Sequence, residues 1–116
     1  MSEETPFLDV YEPVYELIKR VPAGSVVTYG QVAGGVNGVR VTARQVGTAV
    51  RYAPEDVPWH RVVGSGGWLR IASRSPELAK RQRSLLAKEG VYFLSSTAMR
   101  VDMKRSQATA EMLGIS

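Results

Sequence analysis

Hydrophobic residues at every third or fourth position predict an amphipathic helix over residues 6–20, near the start of the chain. They are Phe7, Val10, Val14, Leu17 and Ile18. Pro6 suits a first helical turn, whereas Pro13 should either kink the helix or place its true start near Asp9. Turn-forming residues at 21–24 then end this helix.

Two short helices are predicted next, because the pattern Thr-x-x-Gln occurs twice, at 28–31 and at 42–45. In such a capping box each side chain accepts a hydrogen bond from a backbone amide that the helix leaves unpaired. A glycine-rich turn at 34–38 separates the two helices, and the second should end before Pro54 with Val46, Ala49 and Val50 buried. Two short helices joined by such a turn are typical of a helix-turn-helix.

The second half of the chain alternates extended and helical patterns. Residues 61–63 are strand-like, 64–67 must turn, and 68–71 are expected to pair back on the strand. Ser75-Pro76-Glu77 predicts the start of a third clear helix, and Gly90 its end. Residues 91–94 and 99–101 are predicted to form a closing hairpin.

These elements predict a single α/β (α+β) domain over residues 1–103, with a helix-turn-helix of winged-helix type. Residues 104–116 are predicted to be a loosely attached tail with one helical turn around residues 110–113.

Composition narrows the chemistry. The chain of 116 residues has a net charge of +4, and ten of its 15 Lys and Arg residues lie between positions 40 and 88, which favours one positive face. There is no cysteine and one histidine, His60, so thiolate nucleophiles are excluded and neither a metal site nor a cofactor is expected. No apolar run is long enough for a membrane span and the first residues lack a signal-peptide pattern, so a cytoplasmic protein without membrane contact is expected. The sequence gives no sign of the oligomeric state, and a monomer is the default expectation.

The most informative stretch is Pro58-Trp59-His60-Arg61-Val62. It resembles the active-site motif Pro-Cys-His-Arg-Val of the O6-alkylguanine-DNA alkyltransferases, with Trp59 in place of the acceptor cysteine. The resemblance continues through residues 27–33, 43–47 and 85–90, and it covers about residues 6–94, the DNA-binding domain of that family. The fold it implies agrees with the predicted elements.

The resemblance also implies roles in turning a nucleotide out of the duplex. A tyrosine matching Tyr29 rotates the phosphate of the target nucleotide, and an arginine matching Arg44 fills the gap that the base leaves. A flat, permanently charged guanidinium suits that gap, and extruding a base costs a few kcal/mol that such a filler partly offsets. The predicted DNA-contacting set on and around this second helix comprises Tyr29, Thr42, Ala43, Arg44, Gln45, Gly47 and Arg51.

Trp59 changes what the motif can do. Indole is a poor nucleophile, so alkyl transfer should stop, while its broad apolar face can pack against an alkyl group. His60 and Glu89 resemble the pair that activates the family's cysteine, and here we expect them, with Pro58 and Arg61, to support the turn that holds Trp59. The predicted alkylguanine pocket consists of Tyr29, Trp59, Val62, Arg70, Ser73 and Arg74, and the sequence leaves open whether Arg70 or Arg74 faces the base.

One position departs from the family pattern. Where the family has an asparagine that braces the active-site turn, this chain has Ala53, and Glu55 or Asp56 is expected to supply substitute hydrogen bonds.

Three hypotheses follow from the sequence. The first is a non-enzymatic sensor, as in the family's alkyltransferase-like branch, that binds O6-alkylguanine in double-stranded DNA and marks it for nucleotide excision repair proteins. The second is a helix-turn-helix regulator that reads base sequence, which would leave the motif at 58–62 without a purpose. The third is an enzyme that uses His60 and Glu89 to hydrolyse the lesion, which lacks a nucleophile.

Overall fold

The first helix, α1, spans Pro6–Ile18 in the computed structural model, which describes the backbone of residues 6–115 and the side chains of residues 11–115. Phe7 and Val10, predicted to face the core, lie outside the described side chains. The helix continues through Pro13, so a start near Asp9 is wrong. Proline removes one backbone hydrogen bond, and the burial of three apolar side chains offsets that loss. They are Val14, Leu17 and Ile18.

The predicted helix pair is present as α2 (Tyr29–Gly35) and α3 (Ala43–Arg51), and both capping boxes are formed. In α2 the Gln31 backbone N–H donates to the Thr28 hydroxyl at 3.0 Å, and the Thr28 N–H donates to Gln31 Oε1 at 3.0 Å. The same pair of bonds in α3 measures 3.1 and 2.9 Å. Local sequence therefore sets where both helices begin.

The larger hydrophobic core lies where α1, α2 and α3 meet. Val32 of α2, Val46 and Ala49 of α3 and the buried face of α1 share this cluster, with Val50 partly buried beside it. The Tyr15 hydroxyl on α1 donates to the Ala49 carbonyl at 2.7 Å, which ties α1 to α3. This packing fixes α3 with its opposite side exposed.

A short parallel sheet joins the two halves of the chain. Strand β1 (Val27–Thr28) pairs with β2 (Val62–Val63), with Val27 opposite Val62. The predicted return of residues 68–71 onto 61–63 is wrong: Trp68 pairs with Arg100, and Arg70–Ser73 is a 3₁₀ turn. The Gly64 N–H donates to the Trp68 carbonyl at 2.7 Å, so the chain closes a loop there before a ladder can form.

The last long helix, α4, spans Pro76–Lys88, and the predicted signals hold at both ends. The Ser75 hydroxyl accepts a hydrogen bond from the Leu78 N–H at 3.2 Å, and Gly90 has a φ of +88° just beyond the helix. The predicted hairpin is reduced to one antiparallel bridge, Phe93 to Val101. Together with the Trp68–Arg100 pair it encloses a second core cluster. That cluster contains Val26, Val63, Leu69, Leu86, Val91 and Val101.

The prediction of a loose tail after residue 103 is wrong. A short helix, α5 (Met103–Ser106), leads into a segment whose Ala108 and Leu113 are only 2% and 1% exposed. Gln107 forms a parallel bridge with Val26, so this segment lies beside β1 on the side away from β2. The predicted turn is present as backbone turns over residues 110–114. Burial of apolar side chains attaches this end of the chain to the core of the domain.

Candidate nucleic-acid interface

A broad cleft of about 1110 Å³ opens between the start of α2, the exposed side of α3, and the first turns of α4. Its lining includes Thr28, Tyr29, Gly30, Ala43, Arg44, Gly47, Thr48, Val50, Arg51, Ala53, Glu55, Trp59, Ser65, Arg70, Ile71, Ser73, Arg74, Leu78 and Arg81. Segments far apart in sequence thus meet in one concave surface, as is usual for a binding site.

Most of the predicted site residues meet in this cleft. From the predicted pocket, Tyr29, Trp59, Arg70, Ser73 and Arg74 line it, and from the predicted DNA-contacting set Ala43, Arg44, Gly47 and Arg51 do so. Thr42 and Gln45 are exposed beside it and form the cap of α3.

Val62 does not belong to the pocket. It has no exposed surface, because it lies in β2 opposite Val27 and packs in the larger core. Its place in the predicted pocket is therefore corrected.

The cleft is strongly cationic. Its lining includes five arginines, all exposed, against a single carboxylate, Glu55. They are Arg44, Arg51, Arg70, Arg74 and Arg81. Within the described side chains none of the five forms a salt bridge, since the ion pairs there involve other cations. Unpaired guanidinium groups in a concave surface attract and hold phosphate-bearing ligands.

Tyr29 lines the cleft as the first residue of α2 and is half-buried. Burial raises the pKa of its phenol, and the nearby positive charge of Arg70 partly counteracts this effect. The phenol therefore stays protonated at neutral pH and can donate a hydrogen bond. Arg70 and Tyr29 line the same cleft.

Trp59 opens the 3₁₀ turn Trp59–Arg61 and faces the cleft half-buried. The backbone fixes this turn, because the Trp59 N–H donates to the Val57 carbonyl at 2.8 Å and the Arg61 N–H to the Pro58 carbonyl at 3.0 Å. The indole stands edge-on to the His60 ring, with centroids 6.2 Å apart at 85°. The indole is thereby held at the surface of the cleft while its neighbours turn inward.

Behind this turn, Glu89 accepts hydrogen bonds from two residues. Arg61 donates from Nε to Oε1 at 3.0 Å and from Nη2 to Oε2 at 2.8 Å, while His60 Nε2 lies 2.9 Å from Oε2. Burial alone would raise the pKa of Glu89, but these hydrogen bonds and charges outweigh it and lower the pKa from 4.5 to about 2. Arg61 also donates to the Val21 carbonyl at 2.8 Å. The contact expected between His60 and Glu89 is present, and it has the geometry of a structural brace.

Gln82 is a second brace, which the sequence did not identify. Its side chain is 3% exposed, and its Nε2 donates to the carbonyls of His60 and Val62, both at 3.1 Å. The available signal was a polar residue among Ala79 and Leu86 on the buried face of α4. The brace expected from Asp56 is not found among the described contacts: Asp56 pairs with Lys19 at 3.2 Å, and Glu55 faces the cleft.

The cleft lining also includes residues that the sequence did not place in the site, among them Ile71, Leu78 and Arg81. Leu78 is 41% exposed, and Arg81 follows about one helical turn later on α4. Only the packing of α4 against residues 70–73 reveals that both face the cleft, and the sequence does not encode that contact locally.

Two findings restrict other kinds of site. Among residues with described side chains, no three His, Asp or Glu groups converge as metal ligands would. None of the helices that the structure describes is long and apolar enough to cross a membrane.

A cationic cleft beside a capped helix-turn-helix defines a nucleic-acid-binding domain. Residues 9–91 match the family described as 6-O-methylguanine DNA methyltransferase, DNA binding domain. The chain belongs to this family, which confirms the resemblance found in the sequence.

Named relatives and solved structures agree with this assignment. The chain is 42% identical over 86 residues to Alkyltransferase-like protein 1 of Schizosaccharomyces pombe, covering 72% of this chain and 77% of the relative. It is 37% identical over 94 residues to the DNA base-flipping protein of Escherichia coli, covering 79% and 68%.

The fold agrees with that of the crystal structure of S. pombe Atl1 in complex with damaged DNA containing O6-carboxymethylguanine. The TM-score is 0.75 at 30% identity, over 94% of this chain and 99% of that one. Mycobacterium tuberculosis OGT in complex with DNA matches with a TM-score of 0.58 at 27% identity, over 97% of this chain and 58% of that one. The predicted α+β fold with a helix-turn-helix is confirmed.

Proposed function

We propose that this protein is a sensor that binds O6-alkylguanine in double-stranded DNA, turns the base into the cleft and removes nothing from it. The observation that supports the proposal most directly is the position of Trp59, which stands in the cleft where the family's motif has its acceptor cysteine. The chain contains no cysteine at all, so no thiol can accept an alkyl group.

In this proposal α3 approaches the DNA with its exposed side. Ala43 and Gly47 present little bulk there, and a Cβ atom added at Gly47 would meet no protein atom within 4 Å. The small side chains leave room for a sugar-phosphate backbone to come close to the helix. Arg44 and Arg51, one on either side of Gly47, can then contact the duplex.

Extrusion of the base is assigned to Tyr29 and Arg44, which lie on the two helices that border the cleft. The protonated Tyr29 phenol donates to the phosphate of the target nucleotide, and the Arg44 guanidinium stacks in the gap. Filling the gap offsets part of the few kcal/mol that unstacking costs.

The extruded base is held against Trp59. The indole gives the O6-alkyl group an apolar surface, and Arg70 or Arg74, which both line the cleft, donates to the base edge. Ser73, whose hydroxyl donates to the Arg70 carbonyl at 3.1 Å, lies on the same wall. Contact with the indole selects guanine with an apolar O6 substituent, because unmodified guanine leaves the indole surface uncovered.

A fluorescence-anisotropy titration with two matched duplexes, one with O6-methylguanine and one with guanine, tests the proposal. We expect at least tenfold tighter binding to the lesion, and mass spectrometry of the mixture should find both masses unchanged. Equal affinities for the two duplexes would mean that the protein binds DNA without recognising the lesion. A mass gain on the protein would contradict the argument from Trp59.

A sensor without chemistry needs a second molecule to act on the lesion. We propose nucleotide excision repair proteins as that partner. In a reconstituted excision reaction, adding the protein should raise the incision rate on the O6-methylguanine duplex and leave the guanine duplex unchanged. An identical rate with and without the protein would contradict this part of the proposal.

A further inference from the structure

The C-terminal segment, residues 106–115, lies outside the family match at residues 9–91, yet it contacts the helix that begins with Tyr29. The contact starts at β1. The Val26 N–H donates to the Ser106 carbonyl at 2.8 Å, and the Ala108 N–H donates to the Val26 carbonyl at 2.7 Å. The segment thus lies along the strand that leads directly into α2.

Gln31 connects the segment to the first turn of α2. Its Oε1 accepts the capping-box bond from Thr28 and a second bond from Gln107 Nε2 at 2.7 Å, while its own Nε2 donates to the Ala108 carbonyl at 2.9 Å. Gln45, the equivalent residue of α3, is exposed and bonds only to Thr42 in the described contacts. Only the α2 box is therefore tied to another part of the chain.

The far end of α2 is held by apolar contact. A Cβ atom added to Gly35 would lie 2.5 Å from Ile115 Cδ1 and 2.9 Å from Leu17, so the helix and the segment touch with no room for a side chain. Leu113 is buried beside them in the larger core. The segment therefore contacts α2 at both of its ends.

This matters for Tyr29 because α2 has only seven residues and so little rigidity of its own. When the Tyr29 side chain displaces a phosphate, α2 must keep its position, or the helix would move instead of the nucleotide. Tyr29 follows Thr28 directly, and the capping bond between Thr28 and Gln31 is the one that Gln107 supports.

We propose that residues 106–115 form a clamp on α2, and that Gln107 and Ile115 are positioning residues that hold Tyr29 in place for base extrusion. The inference rests on the proposed function. It assigns to the C-terminal segment a role in extrusion and none in the initial contact with DNA, since the segment's residues do not line the cleft.

The test compares the double variant Gln107→Ala, Ile115→Ala with Met112→Ala. The double variant keeps the buried residues of the segment, Ser106, Ala108 and Leu113, and Met112 is a 46% exposed control on the same segment. Base extrusion is followed by the fluorescence of 2-aminopurine placed next to O6-methylguanine in a duplex, which rises when the neighbouring lesion leaves the stack. Backbone hydrogen exchange over residues 29–35 reports on α2 itself.

In the double variant we expect the extrusion signal to fall about fivefold and exchange in α2 to accelerate about fivefold, with affinity for undamaged duplex changed less than twofold. Met112→Ala should behave as the parent protein. Unchanged exchange in α2 would overturn the clamp, as would acceleration spread evenly over α1, α3 and α4, which would indicate a general structural role. Absence of any extrusion by the parent protein would overturn the proposed function, and exchange in α2 would then still decide whether the clamp exists.

Discussion

The two sides of the motif at residues 58–62 differ in how their charges are used. On the inner side, Arg61 and His60 are both bonded to Glu89, and Arg61 further donates to Val21. On the outer side, the five cleft arginines have no described ion-pair partner and are exposed. Removing one partner of an ion pair within the protein destabilises the fold, whereas unpaired charges remain available to a ligand.

In the proposed function, the comparison teaches how a motif known from reactive sites can serve binding. The hydrogen bonds from His60 and Arg61 to Glu89 are present, and the residue at the motif's cysteine position is Trp59. Substitutions on the inner side should therefore lower the stability of the fold and affect DNA binding only indirectly. Substitutions on the outer side should weaken DNA binding and leave stability nearly unchanged.

The largest effect is expected for Glu89→Ala. Removing the carboxylate leaves the Arg61 guanidinium partly buried without its partner, so unfolding should become easier by about 3 kcal/mol. Thermal or urea unfolding measures this change. Glu55→Ala is the matched control on the outer side, and it should change stability by less than about 0.5 kcal/mol. Equal effects of the two substitutions would contradict the division between the sides.

Low pH should remove the contribution of Glu89 to the stability of the fold. Because the pKa of Glu89 is lowered from 4.5 to about 2, its contribution to stability is present above pH 4.5 and is lost as the pH falls toward 2. The shift corresponds to roughly 3 kcal/mol unscreened, and solvent access to the carboxylate reduces this to about 2 kcal/mol. Urea unfolding of the parent protein and of Glu89→Gln between pH 5 and 2 should therefore converge at the acid end, and a constant difference would refute the assignment.

Arg44→Ala should weaken binding to O6-methylguanine DNA about tenfold, or about 1.4 kcal/mol, because the gap in the duplex stays unfilled. Thermal stability should not change, since Arg44 is exposed. Arg40→Ala serves as the control, because Arg40 is exposed near α3 but outside the cleft, and it should cost less than threefold. A loss of similar size in both variants would mean that only net charge matters.

The smallest effect is expected for Gly47→Ala, which should change stability and DNA affinity in opposite directions. Alanine favours a helix over glycine by about 0.5–1 kcal/mol, and nothing in the protein opposes its methyl group, so stability should rise. DNA affinity should fall about threefold, because the methyl group occupies the side of α3 that approaches the backbone. Gly34→Ala on α2, where a Cβ is equally unopposed but lies outside the cleft, should raise stability without affecting affinity.

The sequence predicted those features that local chemistry determines. Both capping boxes specify their own helix starts, and Ser75 and Gly90 specify the ends of α4, because each signal acts within a few residues. The parallel pairing of β1 with β2 was missed, since it joins residues 35 positions apart and strands of two residues leave no alternating pattern.

The candidate site shows the same division. The resemblance identified Tyr29, Arg44 and Trp59, which do line the cleft. It could not place Val62, because whether a valine faces a pocket or the core depends on which strand lies beside it. Gln82 and residues 106–115 were missed for a related reason, since their contacts reach segments that are distant in sequence.

The most direct test of the account is whether the lesion reaches Trp59. In a Trp68→Phe variant, Trp59 is the sole tryptophan, and its emission reports on the cleft. We expect the O6-methylguanine duplex to quench this emission upon binding, while the guanine duplex, at a concentration that gives equal occupancy, leaves it nearly unchanged. Equal quenching by both duplexes, or none at saturation with the lesion, would contradict capture of the alkylated base against the indole.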